Sequence, residues 1–524
     1  MQRRTLLTAG SATILAAPWI VRAETARTLR FIPNVDLPSV DPVSTPTLTT
    51  LLHGNTIYDQ LFGLDSGFQP QPQMLAGYRT DADGILWELT LREGLLFHDD
   101  TPVMARDCVA SILRWARRDA YGSALLARTD EITAATDRVI RIRLKRPFTQ
   151  LPEALAQPAC LIMPERVVTT DPYKQITDTT GRGPFRFLAD ERIPGSRVVY
   201  ARFEKYVPRS EGAVSFLAGP RVAHFDRVVW GHVPEASTAA AALTAGEYDW
   251  WGDSDIDHYD LLRRDPGLRL ELTNRMGNIG GLRFNHLHKP FNDVAIRRLV
   301  LACVNQQTFM EAVAGARSEL YRTNVGLCTP GTPMANEAGT QALTARSDFD
   351  AVKKELATAG YDGEKIVFIS STVPAFHAQG QVAADLLRRM GFAVDYQELD
   401  LAAIVQRRNS KERPDKGGWN VTVTATYYLQ SVLPPANPLI RNGAAGMPGF
   451  TGWPDVPQLE ALRENWLNAS TSQEQKHFAA EMQAQVFRDA PYIPLGVWFQ
   501  PTCYRKDIVD IQPGWPVMHG VRRA

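Results

Sequence analysis

Aromatic residues beside loop signals are the first candidates for chemistry in this chain. Trp250-Trp251 follows the turn Gly246-Glu247-Tyr248-Asp249, Trp419 follows Gly417-Gly418, and Tyr427-Tyr428 comes soon after. Aromatic rings on loops often line ligand clefts, because they offer contact area at low entropic cost. Asn420 adds a polar group beside Trp419. Arg441 and Lys416 in the same region would favour an anionic group. The chemistry expected of such a set is recognition: stacking and satisfied polar contacts, with no bond made or broken. For Trp419 a stacking role predicts a loss of affinity on truncation to alanine, without a loss of fold.

Catalytic constellations are missing. No G-x-S-x-G elbow, H-E-x-x-H or P-loop occurs. Gly181-Arg182-Gly183 is followed by Pro184, which removes a backbone donor, and no GK[ST] follows. His286-Leu287-His288 would place two imidazoles on one side of a strand, but no third ligand stands nearby. Asp249, Asp253, Asp255 and Asp257 lack the EF-hand spacing and its terminal Glu. No enzyme activity, cofactor or metal is expected. The five cysteines are scattered and form no CxxC, so neither a disulfide scaffold nor a zinc ribbon is indicated.

The elements that must position these residues interleave strands and helices. Thr28–Pro33, Leu86–Arg92 and Ile140–Lys145 read as strands, the last with a cation row on its solvated face. Ala105–Arg118, Thr238–Gly246, Val352–Ala359, Gln379–Met390 and Gln473–Arg488 read as helices, several stopped by glycine. With no internal repeat, this points to an α/β architecture. The 524 residues make three to four domains' worth of chain on a rough length prior. Lys plus Arg and Asp plus Glu are both 57, so the basic excess of a nucleic-acid groove is missing.

Residues 1–23 read as an export signal. Arg3-Arg4 precede a small, apolar run, and Val21-Arg22-Ala23 resembles an A-x-A cleavage site. The arginine pair is similar to the twin-arginine motif, with Leu6 in place of the usual Phe. Gly10, Ser11 and Pro18 make the run a poor membrane span. A cleaved, periplasmic, soluble protein is therefore expected.

Read in order, the motifs resemble the dipeptide/oligopeptide class (family 5) of extracellular solute-binding proteins, the receptors of ABC importers. Trp87 to Gly94, then Phe97-His98-Asp99-Asp100, Pro102 and Ala105-Arg106-Asp107, is similar to W-x-x-x-L-R-x-G…F-H-D-G-x-P…A-x-D. Gly181-Arg182-Gly183-Pro184-Phe185 resembles G-T-G-P-[YF], and Ala242-Leu243, Gly246-Glu247 and Asp249 resemble A-L…G-E-x-D. Phe284-Asn285 with Pro290 to Arg297 resembles F-N…P-F-x-D-x-x-V-R. Leu356, Ala359-Gly360-Tyr361 and Gly363 resemble L-x-x-A-G-Y-x-G, and Pro491-Tyr492-Ile493-Pro494-Leu495 closes the series.

The resemblance implies a type II, two-lobed periplasmic binding protein with an extra small domain. Its lobes would be joined by a hinge that closes over the ligand. The first lobe would comprise 24–54, 180–273 and 485–524, the extra domain 55–179, and the second lobe 274–484. The partners implied are a peptide or small-molecule ligand and a membrane permease, with no nucleic acid and a monomeric receptor. The ligand-binding residues expected are Trp250, Trp251, Trp419, Asn420, Tyr427, Tyr428 and Arg441.

Three departures stand out. Asp100 replaces the turn glycine. Arg182 replaces a threonine, which would alter the cleft floor. Peptide-binding members of the family hold the ligand's amino group with an Asp after a G-W motif, matched here to Gly418-Trp419-Asn420, yet Lys416–Pro454 contains no Asp or Glu. A buried ammonium without a carboxylate is costly. Either Asp249 or Asp253 supplies it, or the solute is a non-peptide organic anion, opine-like compound or glycoside.

Overall fold

The computed structural model describes residues 27–45, 47–443 and 451–524, so the candidate export signal lies outside the described residues. The chain enters as β1 (Thr28–Ile32) and continues through helix α1 (Leu48–Ile57), whose first turn is capped by the Thr47 hydroxyl. Strands β2 (Leu75–Thr80), β3 (Leu86–Leu91), β4 (Thr129–Ala134) and β5 (Val139–Leu144) follow. They form a four-stranded sheet in the order β2-β3-β5-β4, which falls within 55–179. Helix α2 (Ala105–Ala116) packs on it. The cation row on β5 is a solvated face: Arg141 pairs with Glu88, and Arg143 with Asp130 and Glu131. Asp100 sits in the left-handed region at φ 69°, a conformation aspartate tolerates, so the hairpin keeps its turn without the glycine.

Next come β6 (Phe185–Phe187), β7 (Arg197–Arg202), β8 (Arg227–Gly231), helix α3 (Ala236–Thr244), β9 (Trp250–Trp251), helix α4 (Tyr259–Arg264) and β10 (Leu268–Glu271). The chain continues through β11 (Asn278–Phe284), α5 (Val294–Cys303), α6 (Gln306–Ala314), β12 (Tyr321–Arg322) and α7 (Phe349–Thr358). It continues with β13 (Lys365–Ser371), α8 (Pro374–Met390), β14 (Ala393–Leu399), α9 (Leu401–Arg408) and β15 (Val421–Tyr427). Helices α10 (Pro457–Asn468) and α11 (Ser472–Asp489) lead to β16 (Tyr492–Trp498), and β17 (Thr502–Arg505) pairs again with the strands of the first segment. Helix α8 starts at Pro374 and stops at Gly391, whose φ of 102° is open mainly to glycine.

Two large sheets carry the lobes. The first is seven-stranded, in the order β10-β17-β9-β1-β8-β7-β6, with β1 parallel to β8 and β9. The second is six-stranded, in the order β12-β16-β11-β15-β13-β14, with β13 parallel to β14 and β15. On its helix-covered face Leu282, Phe284, Phe368, Val421 and Val423 pack in one core with Val300, Met310 and Leu387. The strand Tyr492–Trp498 belongs to this second sheet, paired with β11. The segment 485–524, expected wholly in the first lobe, therefore contributes strands to both large sheets. Local sequence marks a buried strand there but not the sheet it joins.

The chain crosses between the sheets twice, at 272–277 and at 499–501. The crossings lie side by side, because Glu271 pairs with Thr502 and Asn278 with Trp498. In the first sheet the carboxyl ends of β1 and β9 meet the start of β17, through Ile32↔Trp251 and Trp251↔Cys503. In the second sheet the carboxyl end of β15 meets the start of β11, through Tyr427↔Asn278. The carboxyl ends of parallel strands thus point to the crossings from both sides. In open α/β sheets this is where ligands bind.

Candidate ligand-binding cleft

The loop after β9 forms one wall at the crossing. Gly252 makes the turn against the ring of Phe31; a Cβ there would lie 2.6 Å from Phe31 Cζ. The Ser254 amide and hydroxyl both donate to the Pro501 carbonyl, at 2.8 and 3.0 Å. Gln500 Nε2 donates back to the Ser254 carbonyl at 2.8 Å. Between these fixed points stands Asp253. It is half-buried, and among the described residues its carboxylate has no hydrogen bond or ion pair. Burial alone pushes its carboxyl up to about 6. The other crossing is tied to the second lobe: the Met276 carbonyl accepts from Ser431 Oγ at 3.0 Å and from Thr329 Oγ1.

Most of the residues expected to touch ligand lie elsewhere. Trp250 is fully buried, donates from Nε1 to Thr502 Oγ1 at 2.6 Å and stands edge-on to Phe31. Trp251 packs on the opposite face with Ala240, Leu243 and Leu262. Consecutive strand residues point to opposite faces. Both faces of this sheet are covered, so both indoles are core. Asp249 is also fully buried and is held by Arg30 and Arg523.

Trp419 is fully buried against Val367, Ile369 and Ile404, with Nε1 donating to the Arg408 carbonyl at 3.1 Å. It precedes β15, at the end of that strand remote from the crossings. Asn420 extends the sheet: its Oδ1 accepts from the Val367 amide and its Nδ2 donates to the Lys289 carbonyl, both at 2.9 Å. Arg441 is buried, and burial pushes its guanidinium down to about 10. The charges around it are Arg463, Glu460 and Asp119, so it belongs to the junction of α10 with the small domain. Lys416 is exposed. Tyr427 ends β15 opposite Asn278 in register and packs, half-buried, against the core of the second sheet. The Tyr428 side chain lies outside the described residues.

Arg182 is sealed away from the crevice. Its Nη1 reaches the buried Asp59 carboxylate at 2.6 Å, and the Tyr206 hydroxyl donates to the same carboxylate at 3.0 Å. His286 and His288 hydrogen-bond to separate backbone carbonyls, of Pro491 and Lys411, and do not converge. All five cysteines are buried free thiols.

One buried cation of the second sheet lies away from the crossings, at the same end of β15 as Trp419. Arg283 lies on β11 between Leu282 and Phe284, and so on the opposite face, beside Thr422 of β15 in register. It is 8% exposed. Burial, together with the neighbouring Arg408 cation, pushes its guanidinium down to about 9. The signal was present in the sequence: a lone cation inside the strand Asn-Ile-Gly-Gly-Leu-Arg-Phe.

Residues 69–444 match the family described as bacterial extracellular solute-binding proteins, family 5 Middle. The chain belongs to that family. Among curated proteins it is 36% identical, over all of both chains, to the probable peptide ABC transporter periplasmic-binding protein y4tO of Sinorhizobium fredii. Among solved structures it resembles the periplasmic binding protein DppA of Helicobacter pylori in complex with the peptide STSA, with a TM-score of 0.77, 18% identity and 96% and 99% of the two chains covered. It resembles equally the A. tumefaciens R10 protein AgaA in complex with agropinic acid, with a TM-score of 0.77, 17% identity and 95% and 99% covered. A family 5 solute-binding protein performs no reaction on its ligand; the two sheets and their paired crossings are the frame of a two-lobed receptor.

Proposed function

We propose that this protein is the periplasmic receptor of an ABC importer that captures a peptide or peptide-like solute and holds its ammonium group on Asp253. The observation that carries the reading is the Asp253 carboxylate itself: partly desolvated, unpartnered among the described residues, and next to the crossings. A carboxylate in that state gains most from an incoming cation. Its rival Asp249 is already ion-paired. The peptide named for the Sinorhizobium relative and the peptide bound in the Helicobacter structure support the same solute class.

In this reading the two lobes close over the solute by bending at 272–277 and 499–501, and the closed form docks on a membrane permease. Export follows the twin-arginine route through Arg3-Arg4, with residues 1–23 removed. A second reading keeps the receptor and replaces the peptide with a non-peptide organic anion, opine-like compound or glycoside. The acid-free stretch Lys416–Pro454 favours it, and the agropinic acid bound by AgaA is a solute of that kind.

Native mass spectrometry of the protein recovered from a bacterial periplasm, compared with its denatured mass, tests the proposal. A spread of short-peptide masses lost on denaturation, and missing from Asp253→Asn, is the expected result. A single non-peptide mass that survives Asp253→Asn would replace the first reading with the second.

A further inference from the structure

The halves of the chain that carry the two large sheets are joined covalently only at the crossings, 272–277 and 499–501. Every other contact between them is non-covalent and can open. Helix α10 makes one such contact, reaching from the second sheet to the small domain. Its neighbour α11 is fixed to that sheet: Phe487 packs in the core, and Arg297 of α5 donates to the Asp489 and Ala490 carbonyls at 2.9 and 3.0 Å. Helix α10 packs along α11 and meets residues 120–150 of the small domain with its last turns.

Arg128 ends the helix Ala120–Arg128 and is buried. Its Nη2 donates to Glu464 Oε1 at 2.6 Å and to Asn468 Oδ1 at 2.9 Å. Arg146 Nη2 donates to the same Glu464 oxygen at 2.6 Å. Two cations from one half of the chain thus share a carboxylate from the other. The end of α10 is capped across the same contact. A helix leaves its last carbonyls without partners. Here Gln150 Nε2 donates to the Trp466 carbonyl at 2.8 Å, and Thr149 Oγ1 to the Ala469 carbonyl at 3.1 Å. The Trp466 indole stands edge-on to Tyr121, 6.4 Å away. Water can take over each of these polar groups when the halves part, and an interface of that kind permits domain motion.

We infer that Glu464, with Arg128, Arg146 and the capped end of α10, is a clasp that shuts as the halves close over the solute and opens to let it exchange. The inference rests on the receptor reading, with its bending at the crossings, and deepens it. Bonds made only in the closed form raise the closed fraction, and a solute that binds the closed form gains that fraction as affinity. Glu464 is therefore a positioning residue: it strengthens binding without touching the solute.

Thr149→Cys combined with Ala469→Cys puts a thiol on each side of the contact, while the native cysteines are all buried. Oxidised before a mixture of tri- and tetrapeptides is added, this pair should block the uptake read by native mass spectrometry, and reduction should restore it. Equal uptake by the oxidised and reduced forms would overturn the clasp and leave the peptide receptor standing. Glu464→Lys, at a half-exposed position, tests the clasp without a crosslink. Peptide affinity should fall by about tenfold or more, the scale of a charge-assisted hydrogen bond. An unchanged affinity with a lowered Tm would mark a permanent interface and overturn the inference. If the wild type binds no peptide, the peptide reading falls and solution scattering decides the clasp alone. The Glu464→Lys protein should then have a larger radius of gyration than the oxidised cysteine pair, and identical curves would overturn the clasp.

Discussion

Arg30 and Asp249 are joined three ways. The Arg30 amide donates to the Asp249 carboxylate at 2.8 Å, its Nε at 3.1 Å and its Nη2 at 3.0 Å. Arg523 Nη2 adds a contact at 3.1 Å from the end of the chain. Asp249 is thus a staple between β1 and the entry to β9, with no capacity left for a solute's amine. Asp249→Ala should lower the unfolding free energy by about 2–4 kcal/mol. That is less than for a wholly buried pair, since Arg30 keeps 27% of its side chain exposed. Urea denaturation measures the loss, and the folded fraction should retain its solute affinity. Weakened binding at undiminished stability would return Asp249 to the site.

Trp419 behaves as core. Its indole fills the space between β13 and α9, and its Nε1 is satisfied by the Arg408 carbonyl. Trp419→Ala should cost about 3–5 kcal/mol of stability, the range for emptying a large aromatic site. Thermal or chemical denaturation would show the shift, with solute affinity close to wild type in the folded protein. A stable Trp419→Ala protein with weakened binding would contradict this placement.

The elements were legible because their signals are local. The helices at Ala105–Ala116, Ala236–Thr244, Pro374–Met390 and Ser472–Asp489 announced themselves by period and by their stops, and β3 and β5 by alternation. The order of family motifs carried the architecture. The site was less legible, because its position depends on pairing between residues far apart in sequence. Trp419 follows a Gly-Gly turn and so looked like a loop aromatic, but it sits at the end of β15 that faces away from the crossings. Trp250-Trp251 stands beside a turn, yet the sheet it enters is covered on both faces. In the sequence Asp253 is one of a pair of candidates; Arg30 and Arg523 occupy Asp249, and only the tertiary structure places them there and leaves Asp253 the open member.

Export gives a test independent of the cleft. If the twin-arginine route carries the chain, Arg3→Lys with Arg4→Lys preserves the charge and loses the paired guanidinium groups, which a lysine pair does not reproduce. The expected outcome is precursor retained in the cytoplasm, seen as a larger band by cell fractionation. Undiminished periplasmic protein of mature size would point to a route that reads only positive charge.

The pH response should report Asp253 directly. Burial raises its carboxyl from an ordinary 3.8 to about 6, so the fold favours the protonated form. That contribution to stability is present below about pH 4 and is lost as pH rises through about 6. Asp253→Asn, which cannot ionise, should match the wild type at pH 4 and be the more stable protein at pH 7. Binding runs the other way, because an ammonium requires the carboxylate. Between pH 7 and pH 5 the ionised fraction falls by about tenfold, and the affinity for an amine-bearing solute should fall by about the same factor. Titration calorimetry across that window measures it. In Asp253→Asn the affinity should be low and flat with pH; a variant that kept both the affinity and its slope would move the ammonium to another residue.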